Sequence, residues 1–217
     1  MRTLILAAAI AIAPAAAFAQ PARAYVNGTG GFATTTDGTS GDVSAEAGVK
    51  VAPHLFVFGD VGRFHNLQPS EVTSAVDATT ATLSTLGIDV TGNARVPAWY
   101  TTGGVRAEIP TGHHVMPYVF GSVGLARLTP EATFSYNSGT IGATTPTVGD
   151  DVTPQVVSLG NYTQPAATNA LMISGGGGIE APIAGRLVLD ASYRISRVNA
   201  ESPLHPQGLT FGVGYRF

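Results

Sequence analysis

Gly208-Leu209-Thr210-Phe211-Gly212-Val213-Gly214-Tyr215-Arg216-Phe217 puts Leu209, Phe211, Val213, Tyr215 and Phe217 at every second position, with Thr210, Gly212, Gly214 and Arg216 between them. A period of two is that of a strand with one apolar and one polar face. In water, five large apolar groups on one side of a closing strand need a second sheet to cover them. In a membrane barrel that side faces lipid.

Composition favours lipid. Only 12% of the 217 residues are charged, against about 25% in an ordinary soluble domain, and there are 27 Gly and no Cys. This does not suit a packed helical core, while 44% hydrophobic residues argue against disorder. Absence of cysteine excludes disulfide scaffolds, thiol catalysis, thiolate metal sites and a lipid-modified terminal cysteine. At the N-terminus, Arg2, the apolar run Leu4 to Ala13, Pro14 and the small-x-small pattern Ala17-Phe18-Ala19 compose a secretory signal peptide, residues 1–19, cleaved near Ala19 to leave a mature domain from Gln20 to Phe217. The apolar run is about ten residues, short of the about 18 that span a bilayer as a helix.

Working back from the closing strand, Leu187 to Ser196 and Leu171 to Ala181 alternate in the same way, separated by a turn at Pro182-Ile183-Ala184-Gly185. Val115 to Leu128 and Trp99 to Ile109 form another pair around Pro110-Thr111-Gly112-His113-His114. Leu55 to Phe64 is a strand whose faces stay unassigned, because Phe56 and Phe58 share a side with Asp60. Val43 to Val51 alternates cleanly, and Ala24 to Thr35 opens the series, with the turn cluster 37–42 between them. Residues 66–97 and 129–167 are long interruptions; in the first, Val72, Ala75, Val76, Leu83 and Leu86 have roughly helical spacing, among many Thr and without a clear cap.

Eight strands with short links near 53, 110 and 183 and longer ones between predict an all-β, eight-stranded antiparallel up-and-down transmembrane barrel, with short periplasmic turns, long extracellular loops and both termini periplasmic. A two-sheet sandwich would not segregate link lengths in this way and would need larger inward side chains.

The signal peptide, the eight strand-like blocks, Pro117-Tyr118-Val119-Phe120-Gly121-Ser122-Val123-Gly124 and Gly212-Val213-Gly214-Tyr215-Arg216-Phe217 resemble the opacity-type, OmpA-transmembrane-like outer-membrane β-barrel superfamily across essentially the whole mature chain. The resemblance implies fold and a Gram-negative outer-membrane location. It also implies that Phe217 is the terminal aromatic read by the barrel-assembly machinery, and the missing OmpA-like peptidoglycan-binding domain implies no cell-wall anchoring.

Glu46, Lys50, Arg106, Glu108, Glu180, Asp190, Arg194 and Arg216 fall opposite apolar faces, four acids with four bases. In a lumen only wide enough for side chains they are expected to pair as a polar plug, with a narrow pore for ions or small solutes as the alternative. The proposed external links carry Asp37, Asp42, Glu71, Asp77, Asp89, Glu131, Asp150, Asp151 and Glu201 against Arg95 alone, while Arg63, Arg127 and Arg197 end strands that rise outward. Arg63, Arg95, Arg127 and Arg197 thus form a candidate rim for the phosphates of lipopolysaccharide, or partners for the loop acids.

Catalysis on lipid A ranks third, behind pore and plug. His65, His205, Ser196, Ser202 and Glu201 lie toward the outer side, but no G-x-S-x-G elbow accompanies them. His54, His113 and His114 read as ordinary turn histidines, and Asp150-Asp151 lacks a calcium-loop spacing. Gly175 to Gly178 lacks the Lys of a phosphate loop, and no basic patch supports nucleic-acid binding. The expected function is structural, adhesive or surface-interacting, carried by the extracellular loops toward an external or host-surface ligand, without metal or cofactor.

Overall fold

The computed structural model describes residues 23–36, 38–67, 69–111, 115–142 and 145–217. The signal peptide and its cleavage site, Asp37, His113 and His114 lie outside the described residues.

Eight strands close a single antiparallel barrel: β1 (Ala24–Thr34), β2 (Thr39–Ala52), β3 (Leu55–Phe64), β5 (Ala98–Glu108), β6 (Met116–Leu128), β8 (Thr168–Ala184), β9 (Leu187–Asn199) and β10 (Gln207–Arg216). Between them the chain adds β4 (Asp89–Arg95), β7 (Glu131–Ser138), α1 (Ser70–Thr85) and α2 (Thr153–Ser158). Each barrel strand pairs with its sequence neighbour in the ring, and β1 also pairs with β10 from Tyr25↔Arg216 to Thr34↔Gln207. That closure removes the free edges a two-sheet sandwich would keep.

The closing strand keeps its alternation in three dimensions. Leu209, Phe211, Val213, Tyr215 and Phe217 are all exposed on the outer wall, alongside Val57, Val61, Val105, Val119, Val123, Ile173, Ile179 and Leu189 from other strands. A continuous apolar exterior of this kind is stable against lipid and not against water. None of the described helices is long and apolar enough to cross a membrane.

Facing inward are Tyr25, Phe56, Phe58, Tyr100 and Tyr118, all buried. This resolves the undecided strand: Phe56, Phe58, Asp60 and Phe64 of β3 point into the lumen, and Val57 and Val61 point out. The rings pack on each other, Tyr25 on Phe56 edge-on at 5.4 Å and Phe64 on Tyr100 at 4.9 Å between centroids. Room for them comes from inward glycines on adjacent strands. A β-carbon at Gly62 would lie 2.3 Å from the Tyr100 hydroxyl, and one at Gly178 would lie 2.7 Å from the Tyr118 ring.

At one end lie Arg23, the first described residue, and Phe217, whose carbonyl accepts from Arg23 N–H, together with the turns around residues 53–54 and 185–186. His54 takes a left-handed φ of 61° in its turn and Gly185 takes 56° in the other. The opposite end differs from the sequence expectation in two ways. The first link is tighter than the turn cluster 37–42: β1 and β2 pair up to Thr34↔Thr39, so only residues 35–38 connect them. The two long interruptions, the first of them with helical spacing in its sequence, fold together into a cap.

In the cap, β4 and β7 pair antiparallel, with Val90 opposite Tyr136 and Gly92 opposite Phe134. Helix α1 lies across β4, where a β-carbon on Gly92 would meet Val76 at 2.4 Å. Its inward residues are Val72, Val76, Thr79 and Leu83, whereas Ala75 and Leu86 are exposed. The hydroxyls of Thr79, Thr80 and Thr82 bond back to the carbonyls of Ala75, Val76 and Ala78, which satisfies threonine inside a helix. At its C-terminus Gly87 (φ 77°) donates to Ser84 and Ile88 to Leu83, a Schellman motif that ends the helix and places Ile88 beside Leu83 in the core. One cluster of buried apolar side chains runs from Leu67, Val76, Leu83, Phe134, Val156 and Tyr162 in the cap to Phe64, Tyr100, Leu128 and Met172 in the barrel.

Candidate functional site

Polar side chains in the lumen form two connected groups. In the group toward the termini, Arg106 and Glu180, each 1% exposed, form a salt bridge, and Arg216 pairs with both Glu180 and Glu108. Arg106 also lies 3.6 Å from Glu46, which accepts the Tyr25 hydroxyl. The Arg106 guanidinium stacks 3.5 Å from the Tyr118 ring centroid, and Tyr118 donates to Asp190 at 2.8 Å. In the group nearer the cap, Arg194 pairs with Asp60 at 2.7 Å and donates to the Tyr100 hydroxyl, which in turn donates to Asp42, both at 3.1 Å.

The lumen thus gathers Glu46, Arg106, Glu108, Glu180, Asp190, Arg194 and Arg216, and adds Asp42 and Asp60. Lys50 sits half-buried near the turn end of β2 and forms no ion pair among the described residues. Asp42 corrects its counting among the external acids: the tight first link carries β2 back to Thr39, so Asp42 falls inside the strand and is 3% exposed. Asp60 was legible only once the aromatic face of β3 was known to face inward. Each buried guanidinium has a carboxylate partner, as charges in a poorly hydrated interior require.

The four outer arginines do not form a ring. Arg63, Trp99 and Arg127 stand side by side in one register row across β3, β5 and β6, on the outer wall at the cap end. Arg63 lies over the Trp99 ring at 5.4 Å. Arg197, on β9, is separated from Arg63 by three intervening strands in either direction round the barrel, and its Nε donates to Asn199 at 2.9 Å. Arg95 belongs to the cap, with Nη2 3.0 Å from His65 Nε2.

Residues 65–97, 129–167 and 200–206 hold the exposed carboxylates Glu71, Asp77, Asp89, Glu131, Asp150, Asp151 and Glu201 against Arg95 alone. Asp150 accepts from Thr147 N–H and Asp151 from Thr153 N–H, each at 2.9 Å. The hydroxyl and N–H of Thr153 hold the Asp151 carboxyl below its ordinary range, while burial pushes the Tyr162 phenol up. A cleft of about 470 Å³ enters the cap between the start of α1, Val96 in the link before β5, the end of β6, and the links that lead into β8 and β10.

A closed eight-stranded ring with an apolar exterior and a charged, paired interior is the geometry of an outer-membrane barrel. The family model of the outer membrane protein beta-barrel domain matches residues 3–217. The chain belongs to this family. Among solved structures, neisserial surface protein A superposes with a TM-score of 0.52 at 15% identity, covering 89% of this chain and 96% of that one. A major outer membrane protein of Thermus thermophilus gives 0.51 at 13% identity, covering 89% and 99%. At these identities the likeness is one of fold. No curated protein sequence matches the chain.

In this outer membrane barrel the serine and histidine residues of the lipid-modifying alternative do not assemble. Ser196 is buried in the lumen against Ser174 at 2.9 Å, Ser202 donates to Glu71, and His65 meets Arg95. His205 is exposed in the link before β10. Neither serine is hydrogen-bonded to a histidine among the described residues. Among those residues no three His, Asp or Glu side chains gather into a metal-binding group.

Proposed function

We propose that this outer-membrane barrel is a non-catalytic surface protein whose cap, held beyond the outer leaflet, makes adhesive or shielding contacts with an extracellular or host-surface ligand. The observation that carries this reading is the cap itself. A folded unit whose apolar core continues into the barrel mouth and which carries seven exposed carboxylates is a presented surface, held by a rigid ring of strands. The lumen network acts as a plug, since ion-paired and aromatic side chains fill the interior. In this reading residues 1–19 are removed on export, the termini face the periplasm, and Phe217 is the group that the barrel-assembly machinery reads.

Replacing residues 66–97 and 129–167 by short turns is expected to leave a heat-modifiable barrel in the outer membrane, with its N-terminus at Gln20, and to remove adhesion of expressing cells to host-cell surfaces. Equal adhesion with and without the cap would refute the role. Deleting Phe217 should reduce the folded, heat-modifiable fraction in the same membranes.

The outer wall supports a second contact, with lipopolysaccharide. Guanidinium groups bind phosphate in two-point contacts, and Arg63 and Arg127 flank an interfacial Trp99 in one row. The Arg63→Gln/Arg127→Gln pair should lower co-purifying lipopolysaccharide at least about threefold, whereas Arg95→Gln/Arg197→Gln should not. Phosphate quantification on the purified barrels decides between them, and equal lipid in all three proteins would remove the site.

A further inference from the structure

We propose that the cleft in the cap is a binding site for a small cationic amphiphile, an amine or guanidinium carried on a compact apolar body. Its volume of about 470 Å³ lies in the range of small-molecule sites, roughly 300–1,000 Å³. Val72, Val96, Leu128, Pro165 and Leu204 give it an apolar wall, of which Val72, Val96, Leu128 and Leu204 are themselves buried. Such a wall takes a hydrocarbon or aromatic body.

The polar groups lining it set the sign of the ligand. Among the described residues, Glu71 and Glu201 are its only charged side chains, both exposed, and no Arg, Lys or His lines it. Glu71, in the first turn of α1, accepts the Ser202 hydroxyl, which ties the helix to the link before β10 across the opening. Glu201 has no cation within salt-bridge distance among the described residues. The remainder of the cap adds five further exposed acids against Arg95, so the surrounding field also favours a cation. An anionic ligand of the same shape would meet two carboxylates and no donor of positive charge. A neutral one would fill the wall but leave both carboxylates without a counter-charge.

The site is framed by five segments far apart in sequence, the start of α1, Val96 in the link before β5, the end of β6, the link into β8 and the link before β10, so it exists only when the cap is folded. It does not rest on the surface-interaction reading: small-ligand binding to the purified barrel is independent of any adhesive contact, and either can fail alone.

The test uses the full mature chain in phospholipid nanodiscs, titrated calorimetrically with phenethylamine, phenethyl alcohol and phenylacetate. The amine is expected to bind saturably, at least about tenfold tighter than the alcohol, with no binding by the acid. Glu71→Gln/Glu201→Gln should weaken the amine at least tenfold and leave the alcohol unchanged. Ala75→Trp fills the cleft from α1 and should abolish both; Ala166→Trp does so from the link before β8, in case the first substitution disturbs the helix. Protease resistance of the cap shows that each variant is folded. Absence of saturable amine binding, equal binding of amine and acid, or binding that survives both tryptophan substitutions in a folded cap would overturn the proposal.

Discussion

Glu180→Leu is expected to destabilise the barrel by about 3–5 kcal/mol, the cost of leaving buried charge without its partner. Glu180 is 1% exposed and is shared by Arg106 and Arg216, reaching them from β8 across the lumen. After its removal Arg106 retains only Glu46, at 3.6 Å, and Arg216 retains Glu108. Two guanidinium groups would then share the lower lumen with fewer counter-charges. Because a buried ion pair gains little over apolar groups of similar volume, the double variant Glu180→Leu/Arg106→Met should recover part of the loss. Urea unfolding of the protein in vesicles, followed through Trp99 fluorescence and the heat-modifiable band, measures both. A single-variant loss under about 1 kcal/mol would mean that water reaches these charges. Conductance should stay small in the variant, because Phe64 and Tyr100 fill the layer nearer the cap.

The barrel strands could be read from the chain because lipid on one side and a polar lumen on the other enforce a period of two over their whole length. The closing strand is the clearest case, and its pairing with β1 completes the ring. Alternation does not decide the side where the rule inverts. In β3 the larger side chains, Phe56 and Phe58, point inward with Asp60, and the smaller Val57 and Val61 meet the lipid face. Burial in an eight-stranded lumen rewards rings that fill it, so hydrophobicity alone does not choose the side. The facing of Arg106 and Glu180 was legible from alternation, but their meeting across 74 residues was not, since it depends on barrel closure.

The cap was hidden for other reasons. Its strand β4 alternates, with Val90, Gly92 and Ala94 on one side, but Gly and Ala carry too little apolar surface to mark it. Gly92 is small because α1 lies on it, a reason visible only in three dimensions. The helix lacks a side-chain cap at its start, and its end is signalled by Leu86-Gly87-Ile88 rather than by charge. Threonines that lower intrinsic helix propensity are tolerated because their hydroxyls bond within the helix. Tertiary packing, not propensity, makes this segment helical.

The same packing argument gives the second large effect, Phe134→Ala. Phe134 is 0% exposed, packs edge-on to Tyr162 at 5.3 Å, and lies opposite Gly92 in the β4–β7 pair. Deleting its ring should cost about 3–5 kcal/mol, as transfer and cavity terms add at a site with little room to collapse. The loss should appear first in the cap. Neither β4 nor β7 belongs to the hydrogen-bonded ring, and every barrel strand keeps both neighbours without them. Limited proteolysis should therefore cut within residues 66–97 and 129–167 of the variant while the heat-modifiable band persists. The continuous apolar cluster from Phe134 down to Phe64 and Tyr100 supplies the competing outcome, in which the barrel mouth loosens with the cap. Loss of the band together with the cap would make the two one cooperative unit. A nicked cap on an intact band would show that the ring of strands holds without it, as its unbroken pairing requires.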